Sequence, residues 1–239
     1  MKSAEQLCTR AVLSLLHTYR CGIENKFIDG KNRSLFNREK HRKTLLEWLH
    51  RNDFYDAFSN EEKEIFETRV GSKLKKQIQS QYFIEETIEP LLWCAGLVNK
   101  LTAPYRHAER NFGDILYIEH DYSLEKLLGK SKLRDQADIE LQRNVSMLWH
   151  WRGIEGDNIT ESDDVKSILQ EIFGVELENA LEKIPFSKGK YPDFLAGKKL
   201  FRQLDAAEIA TIQVISMWRQ HAYEWILGDE EWDEVETNT

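Results

Sequence analysis

Proline is scarce in this chain, with four in 239 residues, and there are only twelve glycines. So few breakers favour helices over many short strands. Cysteine is equally thin. Cys8, Cys21 and Cys94 are odd in number and far apart, which excludes a disulfide framework and reads as buried thiols in a reducing compartment. No apolar run reaches the roughly 18 residues that a membrane span needs. The apolar start of the chain is broken by Glu5, Gln6, Thr9 and Arg10, so it does not read as a secretory leader. These absences together give the expectation of a cytoplasmic protein with no membrane partner. Local catalytic and metal motifs are missing too. No HExxH, no histidine pair at i,i+4, no CxxC, no serine elbow and no Gly-rich phosphate loop occurs, so neither a metal nor a cofactor is expected.

The chain instead contains helical periodicity. From Ala207 to Trp225, apolar residues recur at three, four and seven positions, and Ile212, Ile215, Ala222 and Ile226 add a second row. Two rows leave little polar face, which predicts a helix near the centre of the molecule. Asp205 with Glu208 is its predicted capping box and Gly228 its predicted stop. Further helices are predicted over 3–21 (stopped by Gly22), 35–51, from the Ser59–Glu62 capping box onward with a break at Gly71, up to Ala95, over 138–152 (stopped by Gly153), 165–173 and 176–184. Pro90 marks a kink or a new first turn. Ile115–Ile118 has the composition of a strand but no visible partner, and residues 186–204 read as a loop. The expected fold is mainly α: a single-domain bundle of about eight helices around the C-terminal one, with at most a short strand pair near 112–120.

The overall charge of −8 argues against general nucleic-acid binding. Within 26–51, however, eight Lys/Arg face three Asp/Glu. That basic 31–51 segment reads either as a solvated helix face or as a phosphate or nucleic-acid contact, which would lose affinity steeply with salt. Residues 229–236 carry six acids in eight positions. This run can dock on the basic helix of the same chain or meet a basic protein partner.

Among buried-type polar residues, Glu85, Glu86 and Glu89 share a helix face at spacings of three and four. Converging carboxylates can raise one another's pKa, or one of them can pair with an inward arginine. Arg219 is the arginine whose helical neighbours, Ile215, Ser216, Ala222 and Tyr223, place its stem at the core, so pairing with Glu86 or Glu89 is predicted. A candidate polar cluster follows: Glu86, Glu89, His150, Arg152, Arg219 and His221. As an enzyme, the chain would assemble a site from Glu86, His150, Arg152, Arg219 and His221. As a binding module it would use them to pin the core. The tryptophans Trp93, Trp149, Trp225 and Trp232 lie on apolar stripes and read either as core or as an aromatic pocket.

Several blocks then resemble a family. Arg219, Ala222-Tyr-Glu-Trp225-Ile-Leu-Gly228, Trp232-Asp-Glu-Val235 and Thr237-Asn-Thr239 are similar to the ending of the bacterial "domain of unknown function (DUF4272)" proteins. Glu86 with Leu91-Leu-Trp93-Cys-Ala-Gly96, Met147-Leu-Trp149-His-Trp-Arg152 and Asp193-Phe-Leu-Ala-Gly197-Lys agree in order and spacing, over about residues 80–239. The chain departs from that pattern at Phe83, Leu148, Trp218 and Asn238. The resemblance implies a fold and no activity, and leaves the chain as a binding or protein-interaction module with the enzyme as the alternative.

Overall fold

The computed structural model describes residues 1–25, 34–72, 75–118 and 122–237. The fold is mainly α. In chain order the helices are α1 (Ala4–Asn25), α2 (Leu35–Arg51), α3 (Asn60–Glu67), α4 (Lys75–Ser80), α5 (Ile88–Cys94), α6 (Phe112–Ile115), α7 (Leu124–Leu128), α8 (Gln136–Glu155), α9 (Val165–Phe173), α10 (Glu178–Leu181) and α11 (Ala206–Leu227). A 3-10 segment, Gln81–Thr87, joins α4 to α5. The helices beyond the expected eight are single turns. The loop read around Asp29-Gly30 and the first residues of the basic segment lie outside the described residues.

Local chemistry sets most boundaries. Ser3 and Gln6 exchange bonds at the start of α1. Ser59 and Glu62 form a capping box on α3, and Asp205 and Glu208 form another on α11. Pro90 sits in the first turn of α5, where its missing N–H costs nothing. Gly96 (φ 74°) reverses the chain after α5 and lies so close to the Lys132 carbonyl that a Cβ would approach it to 2.2 Å.

Two predicted stops are corrected. Gly22 does not end α1, which continues to Asn25. Gly153 does not end α8, which runs on to Glu155 and stops at Gly156 (φ 31°). Gly153 has another cause: a Cβ there would stand 2.8 Å from the Gln213 Cβ of α11, so the glycine lets two helices approach closely. The predicted strand at 115–118 is also corrected. Asn111 accepts from the Asp114 N–H and folds Phe112–Ile115 into a helical turn. Tyr117 then adopts φ 58°, and residues 119–121 lie outside the described residues. The strand pair occurs instead within the presumed loop, as β1 (Leu195–Ala196) and β2 (Lys199–Leu200), an antiparallel hairpin that turns through Gly197 (φ 70°).

Besides a small group of Cys21, Ile65 and Ile78, two large hydrophobic clusters fill most of the interior among the described residues. One gathers α1, α5 and the C-terminal half of α11, with Leu7, Leu16, Ile88, Leu92, Tyr223 and Ile226 at or near zero exposure. The other lies around Trp149, Leu169, Phe194, Phe201 and Ile212. The tight packing of α8 on α11 joins them. Cys8, Cys21 and Cys94 are all buried and free. Burial pushes the Cys8 thiol up to about 11 and Cys21 to about 12, and raises Cys94 as well. The charged residues of α2 are partly structural. Arg38 donates to the Ile23 and Glu24 carbonyls, and Arg42 to Phe66 O and Glu39.

Candidate functional site

The six residues of the predicted polar cluster do not meet in one place. They divide among four sites, each with its own partners.

Arg219 and Glu86 meet first. Arg219 Nε (3.1 Å) and Nη2 (2.7 Å) donate to Oε2 of Glu86, while Nη1 reaches Thr102 O and Ala103 O and Nη2 also reaches Arg106 O. Its donors are thus consumed by one carboxylate and three carbonyls. The other oxygen of Glu86 lies 2.7 Å from Nδ1 of His107. That contact raises the His107 pKa above its ordinary value despite partial burial. Burial and the neighbouring Glu86 raise the Glu85 carboxyl. Glu89, also fully buried, accepts from Thr102 N and Oγ1 and from Arg110 Nε. Both carboxylates therefore lace the 99–110 segment to α5 and α11, and their lone pairs are occupied by that task.

Arg152 lies in the second hydrophobic cluster. It forks onto Asp193 (2.9 and 3.1 Å), which also accepts from Arg202 and from the Phe194 and Arg202 backbone N–H groups. Burial pushes Asp193 up, but the two arginines and the backbone donors outweigh it and hold it below its usual range. His150 pairs its Nδ1 with Gln220 at 2.9 Å, and burial lowers its pKa. The tryptophans divide as well. Trp149 packs on Phe194 and Tyr105 (5.0 and 5.4 Å), Trp93 carries Arg134 on its face, and Trp225 meets Trp232 edge-on. An aromatic pocket shared by all four is not formed. A cleft of about 330 Å³ does run beside Trp149 and Arg219, walled by Tyr105, Ser146, Lys183 and Tyr223. Its inward charge, Arg219, is already fully mated.

His221 belongs to the fourth site, and there the accounting does not close. A chamber of about 180 Å³ lies between α1, α3, the 81–87 segment, α11 and the C-terminal run. Trp232 anchors that run. It is 6 % exposed, touches His221 at 4.5 Å between centroids, and carries the Arg10 guanidinium 4.2 Å above its ring. Lys2 fixes the run further by donating to Glu230 O. The acidic stretch therefore seats on α1 and α11.

Within the chamber, Glu62 binds Arg10 through both oxygens, accepts from Ser59 N, and lies 3.5 Å from Nδ1 of His17. Burial pushes Glu62 up, but Arg10 and His17 outweigh it and hold it well below the usual carboxylate range. An ionised carboxylate only accepts, so His17 Nδ1 is the donor in that contact. Burial, with Arg10 nearby, lowers His221 to about 4, so its imidazole is neutral at pH 7. Its bond to the Trp232 backbone favours the protonated form.

His17 Nε2, His221 Nε2, Gln81 Oε1 and Arg10 Nε are all buried without a partner. His17 is 1 % exposed and Arg10 4 %. Buried polar groups are normally satisfied. These four unsatisfied atoms lie in and around one chamber, which is walled by Trp218 and Trp232, and two more, Arg38 Nε and Tyr122 OH, lie elsewhere. No group of three or more His, Cys, Asp or Glu among the described residues is arranged to hold a metal.

In the sequence Arg10 stands out only as a charge breaking an apolar run and Glu62 only as a cap, and no motif singles out His17. The available signal was on α1. Arg10, Ser14, His17 and Cys21 recur at helical spacing on one face and all are buried, so a polar row enters the core.

A family model described as "Domain of unknown function (DUF4272)" matches residues 1–170. The match covers α1 to α8 and enters α9, whereas the sequence resemblance lay over about 80–239, so the two share 80–170 and the N-terminal helices fall within the family's model. No curated protein and no solved structure matches the chain.

Proposed function

The chain belongs to the DUF4272 family, and from that premise we propose that it is a ligand-binding module whose receptor is the chamber between α1, α3, α11 and the Trp232-anchored C-terminal run. One observation carries this reading: His17, Gln81 and His221, each with a buried, unpartnered polar side-chain atom, all line the same cavity. Leaving such atoms unpaired costs about 1–3 kcal/mol each. A fold bears that cost where a ligand or ordered water supplies the missing bonds. The five residues of the alternative enzyme do not converge. Glu86 and Arg219 are paired with each other, and Arg152 and His150 are each mated elsewhere. A catalytic role for that set therefore has no geometric support, and binding is the better reading.

The rim of the chamber carries Glu61 and Asp233. This favours a ligand or partner of basic character, consistent with the acidic run being held in place by Trp232.

The test is a fragment screen against protein labelled with 15N at histidine, following the ring nitrogens by NMR. The expected result is saturable shifts of the His17 and His221 Nε2 signals, with those of His150 and His107 unmoved. If no fragment perturbs either ring at millimolar concentration, the reading fails.

A further inference from the structure

The cleft of about 330 Å³ beside Trp149 is a separate hollow from the chamber, and α8 supplies most of its floor. Gln142, Val145, Ser146 and Trp149 stand three and four residues apart, so they share one helix face and line the cleft together. Arg219 and Tyr223 of α11 adjoin them, and Leu101, Pro104 and Tyr105 of the 99–110 segment complete the walls. That segment is tied down on both sides. Arg219 donates to Thr102 O and Ala103 O, and Glu89 accepts from Thr102 N and Oγ1. The walls are therefore ordered before a ligand enters, which lowers the entropic cost of binding.

Three polar side chains of this lining are buried: Ser146 is 4 % exposed, Trp149 1 % and Tyr223 2 %. Ser146 Oγ, Trp149 Nε1 and Tyr223 OH have no hydrogen-bond partner among the described residues. Yet none of them is sealed off as Arg10 Nε or His17 Nε2 is. The little surface each side chain keeps therefore includes its polar atom, and it opens where the residue lines the cleft. An indole N–H only donates, and both hydroxyls can donate. The charges point the same way. Lys183 is exposed where it lines the cleft and has no ion pair among the described residues, whereas Arg219 is spent on Glu86. No Asp or Glu among the described residues lines the cleft. Glu140 and Glu182 border the neighbouring hollow that shares Lys183, and neither pairs with it.

A set of donors beside a free cation suits an ionised carboxylate, which only accepts and whose charge strengthens each bond it receives. A purely apolar guest would dry the cleft and leave those donors unpaired. An organic cation would bring further donors to a donor-rich wall next to a lysine. The remaining lining, Leu101, Pro104, Tyr105, Val145 and Pro185, is largely apolar, so the ligand also needs an apolar body. Small-molecule sites run from roughly 300 Å³ upward, and this one is of a size for a single ring or a short chain. We propose that the cleft is a second binding site, independent of the chamber, for a small monocarboxylate with an apolar body. Its carboxylate takes its bonds from among Lys183 Nζ, Ser146 Oγ, Trp149 Nε1 and Tyr223 OH.

Titration of the full chain with sodium phenylacetate, followed by the Trp149 indole N–H signal in protein labelled with 15N at tryptophan, tests this. Phenylacetamide and phenethylammonium serve as controls of similar shape with no charge and with the opposite charge. Phenylacetate is expected to shift the Trp149 signal saturably while the His17 and His221 ring signals stay in place. Phenylacetamide is expected to bind at least about tenfold more weakly, since it loses the charge-assisted bonds, and phenethylammonium not at all. Lys183→Met, at an exposed position, is expected to lower phenylacetate affinity by about tenfold. It should leave phenylacetamide affinity and the unfolding midpoint close to those of the parent. Equal affinities for phenylacetate and phenylacetamide overturn the proposal, as does a Lys183→Met variant that binds phenylacetate like the parent. Shifts at His17 and His221 without one at Trp149 place the acid in the chamber and overturn it too, while leaving the chamber a receptor. With no saturable shift at Trp149 the cleft holds only water and the proposal falls. The chamber then stands or falls on its own histidine signals.

Discussion

Arg219 and Glu86, 133 positions apart in sequence, share a bond of 2.7 Å between Nη2 and Oε2 with no more than a few per cent of either side chain exposed. The guanidinium spends its remaining donors on three loop carbonyls, so one residue ties α11, the 81–87 segment and the 99–110 loop together.

Breaking one half of that pair should be severe. Arg219→Met leaves the Glu86 carboxylate in a dry interior with only the half-exposed His107 to answer it. Removing one partner of a buried pair typically costs about 3–5 kcal/mol. Replacing both partners, as in Glu86→Gln with Arg219→Met, should cost less than the single arginine change, because no charge is stranded. Urea unfolding of the two variants measures the difference. A double variant no more stable than Arg219→Met would show that the pair is not the source of the effect.

His107 should titrate above the ordinary imidazole value of about 6.5, because Glu86 stabilises its protonated form. Its folded pKa is raised. Any stability it adds is therefore complete below the unfolded value and disappears as pH climbs through the folded one. NMR titration of the ring reads this directly, and Glu86→Gln should return the midpoint toward the ordinary value. An unchanged midpoint in that variant would contradict the assignment.

His221 works in the opposite sense. Its folded pKa, about 4, lies below the ordinary imidazole value of about 6.5, so between those limits the unfolded chain takes up a proton that the folded chain refuses. Stability contributed by the neutral ring is full above about 6.5, falls as the solution is acidified, and levels off below about 4. The shift corresponds to on the order of 3 kcal/mol. Denaturant unfolding from pH 7 to pH 4 should show the decline, and His221→Gln should flatten it. Equal slopes for variant and parent would exclude His221 as the source.

Gly153→Ala sets two effects against each other. Alanine gains about 1 kcal/mol of helix propensity over glycine. Its Cβ would stand 2.8 Å from the Gln213 Cβ and 3.0 Å from the Gln213 Cα, neither of which can swing away. Overpacking of that kind costs about 1–3 kcal/mol, so net destabilisation is expected in a thermal melt. A rise in midpoint would mean that α8 and α11 separate more easily than their contact suggests.

The helical fold was legible wherever local chemistry decided the outcome: the capping boxes at Ser59 and Asp205, Pro90 in a first turn, and the apolar rows of α9 and α11. It was illegible wherever a distant contact overrode the local signal. Gly22 and Gly153 look like helix stops, yet one lies in an uninterrupted helix and the other marks a close helix crossing. Ile115–Ile118 looks like a strand, but Asn111 caps a helical turn there, while the pairing that does form joins Leu195 to Leu200, residues of ordinary loop composition.

The sites followed the same division. The inward position of Arg219 could be read from its helical neighbours, and the structure places Glu86 against it. The separation of His150, Arg152 and His221 into three unrelated surroundings could not be read, because nothing in the local spacing ties them to their neighbours Gln220, Asp193 and Trp232, which lie 11 to 70 positions away. The unpartnered Nε2 of His17 becomes visible only when α1, α3 and the C-terminal run are seen side by side.

Residue 170 is where the family match ends, but the load on the first cluster does not stop there. Ala222, Tyr223, Trp225 and Ile226 from α11 fill that cluster, and Arg219 neutralises Glu86 inside it. An expression boundary drawn at the end of the matched region would leave a wound in the remaining piece, with a stranded acid at its centre and greasy helix faces open to neighbouring chains.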